Sequence, residues 1–192
     1  MRHQDEEAMV TAAVLADPVC AAILERVPSL GLPDMWLTGG AVFQNVWNAL
    51  TGRPPGYGIK DYDIFYFDGA NCSASAETRV ASKVRDVLAD QTAAIEVCDQ
   101  ARVHHWYEEA FGVPVEPFTC ATDAIDNFAA VACCVGITRD AWGLRLYAPH
   151  GLADLFALHL RPKASTAPRE VYDAKVATYR ARWPSLTSDP WP

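Results

Sequence analysis

Asp61 and Asp63 open the run Lys60-Asp61-Tyr62-Asp63-Ile64-Phe65-Tyr66-Phe67-Asp68. Tyr62 to Phe67 is rich in β-branched and aromatic side chains and reads as a strand covered on both faces. Residues i and i+2 of a strand share a face, so the two carboxylates project side by side. Two such anions disfavour each other's ionisation unless positive charge sits between them. A pair of divalent cations roughly 3.5–4 Å apart meets that need in phosphoryl-transfer sites. The strand is too apolar to be a solvated edge, which puts the aspartates at its open end. The competing reading is a charged strand start at the surface.

Two further features lie close by. Gly39-Gly40 follows the short apolar run Met35-Trp36-Leu37-Thr38 and precedes a helical pattern. Glycines let the backbone approach a phosphate, and a helix N-terminus presents free N–H groups, although the same pair also makes a plain tight turn. Glu96 sits between Ile95 and Val97 in a second expected strand. A lone glutamate there is commonly solvent-facing; beside the other two features it becomes a third acidic ligand or a general base.

These residues need elements to hold them. Residues 5–27 read as helix broken at Asp17-Pro18, and Phe43, Val46, Trp47 and Leu50 mark a helix after the glycines. Residues 76–90 read as a helix with Val80, Val84, Val87 and Leu88 inward. Ala94–Cys98 reads as a strand, and Val103–Phe111 as a helix ended by Gly112. Ala129–Thr138 and Leu144–Tyr147 pattern as a hairpin, Leu152–Leu160 and Val171–Arg182 as helices. The expectation is an α+β fold with an α/β-like core: a mixed central sheet of about four to six strands, flanked by helices at both ends. Its division is a helical cap over 1–33, a core over 34–160 and a helical tail over 161–192 packed on that core.

The chain of 192 residues carries a net charge of −8 and is 51% hydrophobic. That composition suits a folded domain and argues against a clamp on long duplex nucleic acid, which needs Lys/Arg stripes. No run of about 18 apolar residues exists, so no membrane span is expected, and the acidic start is unlike a secretory signal. Cys20, Cys72, Cys98, Cys120, Cys133 and Cys134 form no C-x-x-C pair. They read as free thiols in a reducing cytoplasm, without zinc or disulfides.

Gly39-Gly40, Asp61-x-Asp63 and Glu96 together resemble the signature of the nucleotidyltransferase superfamily, the group around DNA polymerase beta. A small bacterial nucleotidyltransferase-like branch of unknown substrate is closer still. The stretches that carry this are Gly40–Trp47, Ile59–Asp68, Gln100–His104, Tyr147–Asp154 and Tyr172-x-x-Lys175, so the resemblance runs from about residue 35 to 184. It implies a mixed sheet, a nucleoside triphosphate at Gly39 and Gly40, and Mg²⁺ (or Mn²⁺) on Asp61, Asp63 and Glu96, which are also the catalytic residues. A nucleotidyl group would pass to an acceptor hydroxyl with pyrophosphate leaving. In that branch an Asn-Gln-Ala-Arg-Val-His run follows the third carboxylate; here Asp99 occupies the Asn position and competes with Glu96. Lys60 and Arg102 are further nucleotide-binding candidates, against a solvated lysine and a polar helix start. His104 and His105 share that second ambiguity.

The expected function is therefore metal-dependent nucleotidyl transfer to a small molecule, an RNA end or a protein side chain. A glycosyltransferase also uses D-x-D, but after a full nucleotide-binding α/β unit, for which the glycine turn lies too close. A third reading is a non-catalytic member of the fold that binds nucleotide or protein.

Overall fold

The computed structural model describes residues 3–163 and 168–192. The expected cap and tail therefore each include positions (1–2 and 164–167) outside the described residues. The chain begins with α1 (His3–Leu15) and α2 (Pro18–Arg26). They separate at Asp17, whose carboxylate accepts the Val19 N–H, with Pro18 in the first turn where its missing N–H costs nothing. Val10, Val14, Cys20, Ile23 and Leu24 from these helices are buried in the main core. Among the described residues no single helix is long and apolar enough to cross a membrane. The two N-terminal helices together reach that length, but they meet at 99°.

The sheet is built from β1 (Trp36–Thr38), β2 (Asp61–Tyr66), β3 (Ala94–Asp99), β4 (Gly136–Asp140) and β5 (Gly143–Tyr147), in the order β3-β2-β1-β4-β5. Only β2 and β3 are parallel; the other neighbours run antiparallel. A parallel pair needs a crossover, and α4 (Ala74–Val87) supplies it, burying Val84 and capped by Ser73. The fold is thus α+β with a five-stranded mixed sheet and flanking helices, as the alternating patterns predict.

Between β1 and β2 runs α3 (Gly40–Thr51), buried on most of its surface. Asn45 on α3 donates to Asp17 at 3.0 Å, and the Tyr62 hydroxyl donates to the same oxygen at 2.9 Å. This buried carboxylate so ties α2, α3 and β2 together. On the other flank α8 (Arg169–Arg182) packs against α3 through aromatic side chains. Phe43 and Trp47 meet Tyr179, and Trp183 lies 5.4 Å from Trp47, ring centre to ring centre. The Trp183 indole donates to Asn48 at 3.1 Å. A small parallel pair, β6 (His159–Leu160) and β7 (Thr187–Ser188), completes that flank.

Several expectations need correction. Ala129–Val135 is not strand: it makes a buried turn with a 3-10 stretch at Val131–Cys133, and β4 starts only at Gly136. A continuous apolar run looks the same in a buried strand and in a buried turn. The expected helix over 103–111 is split into a 3-10 segment, Gln100–His105, and α5 (Tyr107–Phe111). The helix over 152–160 is only α7 (Ala153–Phe156), since Leu158 at φ +48° turns the chain into β6. A short helix not read from the pattern, α6 (Ala121–Asp126), closes one end of the sheet. Finally, β2 is not covered on both faces: Tyr62, Ile64 and Tyr66 are buried, whereas Asp61, Asp63 and Phe65 are half-exposed on the opposite face.

Candidate active site

Strand register brings the acidic residues together. Asp61, Asp63 and Phe65 share one face of β2 by alternation. The parallel partner of Asp63 on β3 is Glu96, and that of Phe65 is Cys98. Neighbours in register project to the same side, so the three carboxylates lie on one face of two adjacent strands. Asp99 pairs with Tyr66 and projects to the other side. There it is buried and accepts N–H bonds from Asp68 at 3.0 Å and Ala101 at 3.1 Å, capping the 3-10 segment.

The glycine turn meets the same residues. Thr38 pairs with Asp63 across β1 and β2, and the chain then turns at Gly39 with φ +64° and ψ −148°. A Cβ at Gly39 would lie 2.1 Å from an Asp63 carboxylate oxygen, so only glycine lets the backbone come this close. A Cβ at Gly40 would lie 2.4 Å from the Gln44 side-chain nitrogen. Gln44 is buried, and its side-chain oxygen has no hydrogen-bond partner. No side chain caps α3 at Gly39; the Gly39 carbonyl accepts the Val42 and Phe43 N–H groups, and those of Gly40 and Ala41 lie ahead of the first intrahelical bond.

Electrostatics mark Asp63 as the strained member. Burial, then Asp61, then Glu96 push its carboxyl up to about 7, with Lys175 acting in the opposite direction. Two cavities flank the cluster. One, of about 390 Å³, lies beside Asp61 and is lined by Gln44, Lys60, Lys175, Thr178 and Arg182. The other, of about 300 Å³, lies beside Asp63 and Glu96, with mainly aromatic and aliphatic walls. Lys175 borders both.

The carboxylate set fits hard divalent cations, which take oxygen ligands. A carboxyl held near neutrality by two anionic neighbours is what added positive charge would relieve. The ligand atoms of Asp61, Asp63 and Glu96 do not all fall within 4.8 Å of one another. Among the described residues the only three-donor group that does so is Asp126, Cys134 and His150. That group already holds a cation of its own: Lys163 donates to Asp126 at 2.7 Å, beside His150 at 2.6 Å. Burial opposes it, but the hydrogen bonds from Lys163 and His150 hold the Asp126 carboxyl below its ordinary range.

Of the residues singled out in the sequence, Gly39, Gly40, Asp61, Asp63 and Glu96 come together, and exposed Lys60 stands at the cationic cavity. Arg102 does not join them. It lines neither cavity and pairs with Glu77, which also accepts the Asp99 N–H at 2.9 Å. The reading of the residue types passed over Gln44, Lys175 and Arg182. For Lys175 a signal existed in the Tyr172-x-x-Lys175 match, though nothing in it pointed to a role.

A mixed sheet with paired aspartates on a central strand, a third carboxylate on its parallel neighbour and a glycine turn against them defines a nucleotidyltransferase-type domain. The sequence places it by an independent route: the chain belongs to a family described as Nucleotidyltransferase, whose model matches residues 25–188. None of the curated proteins compared with it matches. Among solved structures it is similar to one described as "The NMR structure of the protein reveals a CCA-adding enzyme head domain". That likeness has a TM-score of 0.76 and 24% identity over 95% of each chain, and it is a likeness of fold.

Proposed function

We propose that this protein transfers a nucleotidyl group from a nucleoside triphosphate to an acceptor hydroxyl, with Mg²⁺ or Mn²⁺ held by Asp61, Asp63 and Glu96. The observation that carries the reading is the convergence of these carboxylates on one sheet face against Gly39, with Asp63 pushed up to about 7. When bound, the metal ions neutralise phosphate charge and polarise the reacting oxygens. The protein's own groups do the rest. The Gly40 and Ala41 N–H groups at the start of α3 would meet the phosphate chain. Lys60, Lys175 and Arg182 take the departing pyrophosphate, and Glu96 accepts the acceptor's proton. Lys175 and Arg182 would make α8 part of the working unit. Arg102 we assign to holding Glu77 and the end of β3. The free thiols support a reducing, cytoplasmic setting.

Calorimetric titration of Mn²⁺ in the presence of nucleotide tests the site. Asp61→Ala and Asp63→Ala should each remove the high-affinity binding without unfolding the chain. Unchanged metal affinity in both variants would overturn the assignment. Metal-dependent nucleotide binding with no pyrophosphate release against any acceptor would favour a non-catalytic member of the fold.

A further inference from the structure

The carboxylates stand between two cavities of opposite chemistry. The cavity beside Asp61 is lined by the cationic side chains of Lys60, Lys175 and Arg182. The one beside Asp63 and Glu96 is walled by Phe65, Val103, Trp106, Tyr107, Phe118 and Phe128, and among the described residues its one cation is Lys175. In phosphoryl-group displacement the attacking and leaving oxygens lie roughly in line, on opposite sides of the phosphorus. The leaving pyrophosphate carries most of the negative charge and belongs with the cations. The attacking hydroxyl then enters from the aromatic side, where Glu96 stands on the wall.

Resting on the transfer reading above, we infer that the acceptor is an uncharged small molecule whose hydroxyl is carried by an aromatic group seated in this cavity. Its volume of about 300 Å³ is roughly twice the ~150 Å³ that accommodates benzene, enough for one or two rings. An RNA end would bring backbone phosphates against Asp63 and Glu96, with Lys175 the one cation among the described lining residues to offset them, on a chain of net charge −8. Aromatic walls instead favour a planar ring, by stacking and edge contacts. In the step itself the acceptor oxygen forms a bond to the α-phosphorus and its proton passes to the Glu96 carboxylate. The bond from that phosphorus to the bridging oxygen breaks, and its electron pair leaves on pyrophosphate.

The probes are 2-phenylethanol, myo-inositol, adenosine and a short oligoribonucleotide with a free 3′ hydroxyl, each titrated against the full chain by ligand-observed NMR. Mg·ATP is titrated by calorimetry on the same samples. We expect 2-phenylethanol to bind selectively, and Trp106→Ala and Phe118→Ala each to weaken it by about tenfold or more. Mg·ATP affinity should stay unchanged in both variants. Should Trp106→Ala not fold, Phe118→Ala, in the loop before α6, carries the test alone. Phenylethyl nucleotide, detected by mass spectrometry from Mg·ATP and 2-phenylethanol, would confirm the direction of attack. Equal binding of inositol or RNA, indifferent to Phe118→Ala, overturns the inference. So does adenosine competing with 2-phenylethanol and weakened by the same substitutions, since the cavity would then hold the donor's base. In both cases intact Mg·ATP binding leaves the transfer reading standing. If 2-phenylethanol binds but Mg·ATP does not, the transfer reading itself falls, and the acceptor role with it.

Discussion

Asp63→Asn should stabilise the metal-free protein at alkaline pH and lose that advantage in acid. Burial first, then Asp61 and Glu96, raise this carboxyl from 3.8 to about 7. A carboxyl whose folded pKa exceeds its unfolded value binds its proton more tightly in the native state. Its stability is therefore intact below about pH 4, falls as pH rises toward 7, and stays low above. Asparagine carries no charge at any of these pH values and escapes the decline. At about 1.4 kcal/mol per pH unit, the interval sets a ceiling of about 4 kcal/mol. Asp63 is half-exposed at the cavity rather than sealed, so solvent screening reduces the expectation to about 1–2 kcal/mol at pH 8. Urea melts of the wild type and Asp63→Asn at pH 5 and pH 8, with EDTA present, read it directly. The variant's midpoint should lie above the wild type's at pH 8, with the difference shrinking toward pH 5. Mg²⁺ with nucleotide should reverse the order, because a ligand that binds the native state stabilises it by mass action. A stability difference that does not change between the two pH values would refute the crowding of charge on which the site rests.

Gly39→Ala should cost about 1–3 kcal/mol in a thermal melt, because φ is +64° and the new Cβ would lie 2.1 Å from the Asp63 carboxylate; an unaffected melting temperature would mean the turn relaxes freely. Gly40→Val should weaken nucleotide binding by displacing Gln44 and blocking backbone approach to phosphate, and a calorimetric affinity equal to wild type would reduce the pair to a turn. Glu96→Gln should keep nucleotide binding and lose turnover roughly a hundredfold in a pyrophosphate-release assay, the scale of general-base removal. Asp99→Asn should leave turnover near normal and lower stability by about 1–2 kcal/mol, since its carboxylate takes two backbone N–H bonds; the opposite pattern between these two variants would exchange their roles.

Periodicity carried most of the sheet. The β1 strand, the glycine turn and α3 were legible because apolar spacing changes from strand to helix across Gly39-Gly40. The shared face of Asp63 and Glu96 needed one thing more, the parallel register of β2 and β3, which no sequence pattern states. Where burial is complete, period disappears. Ala129–Val135 is buried along its length and so read as strand, although its backbone turns. The short α6 has too few residues for an apolar stripe. Lys175 was hidden for another reason: it reaches the site from α8, more than a hundred residues beyond Asp63, because Tyr179 and Trp183 dock that helix on Trp47.

The aromatic cavity shows where such reading fails in principle. Phe65 reads in the sequence as part of a strand covered on both faces, because a cavity wall and a core wall use the same residue types. Only position separates them. Tyr62, Ile64 and Tyr66 alternate onto the buried face of β2, and Asp61, Asp63 and Phe65 onto the other. A face that begins with two carboxylates cannot be sealed without stranding their charge, so the third position on it must border space that solvent or a ligand can enter. Alternation from Asp61 therefore already makes Phe65 a wall of the site, and a phenylalanine two residues past the proposed metal-binding pair is an early sign that the space beside the carboxylates is apolar.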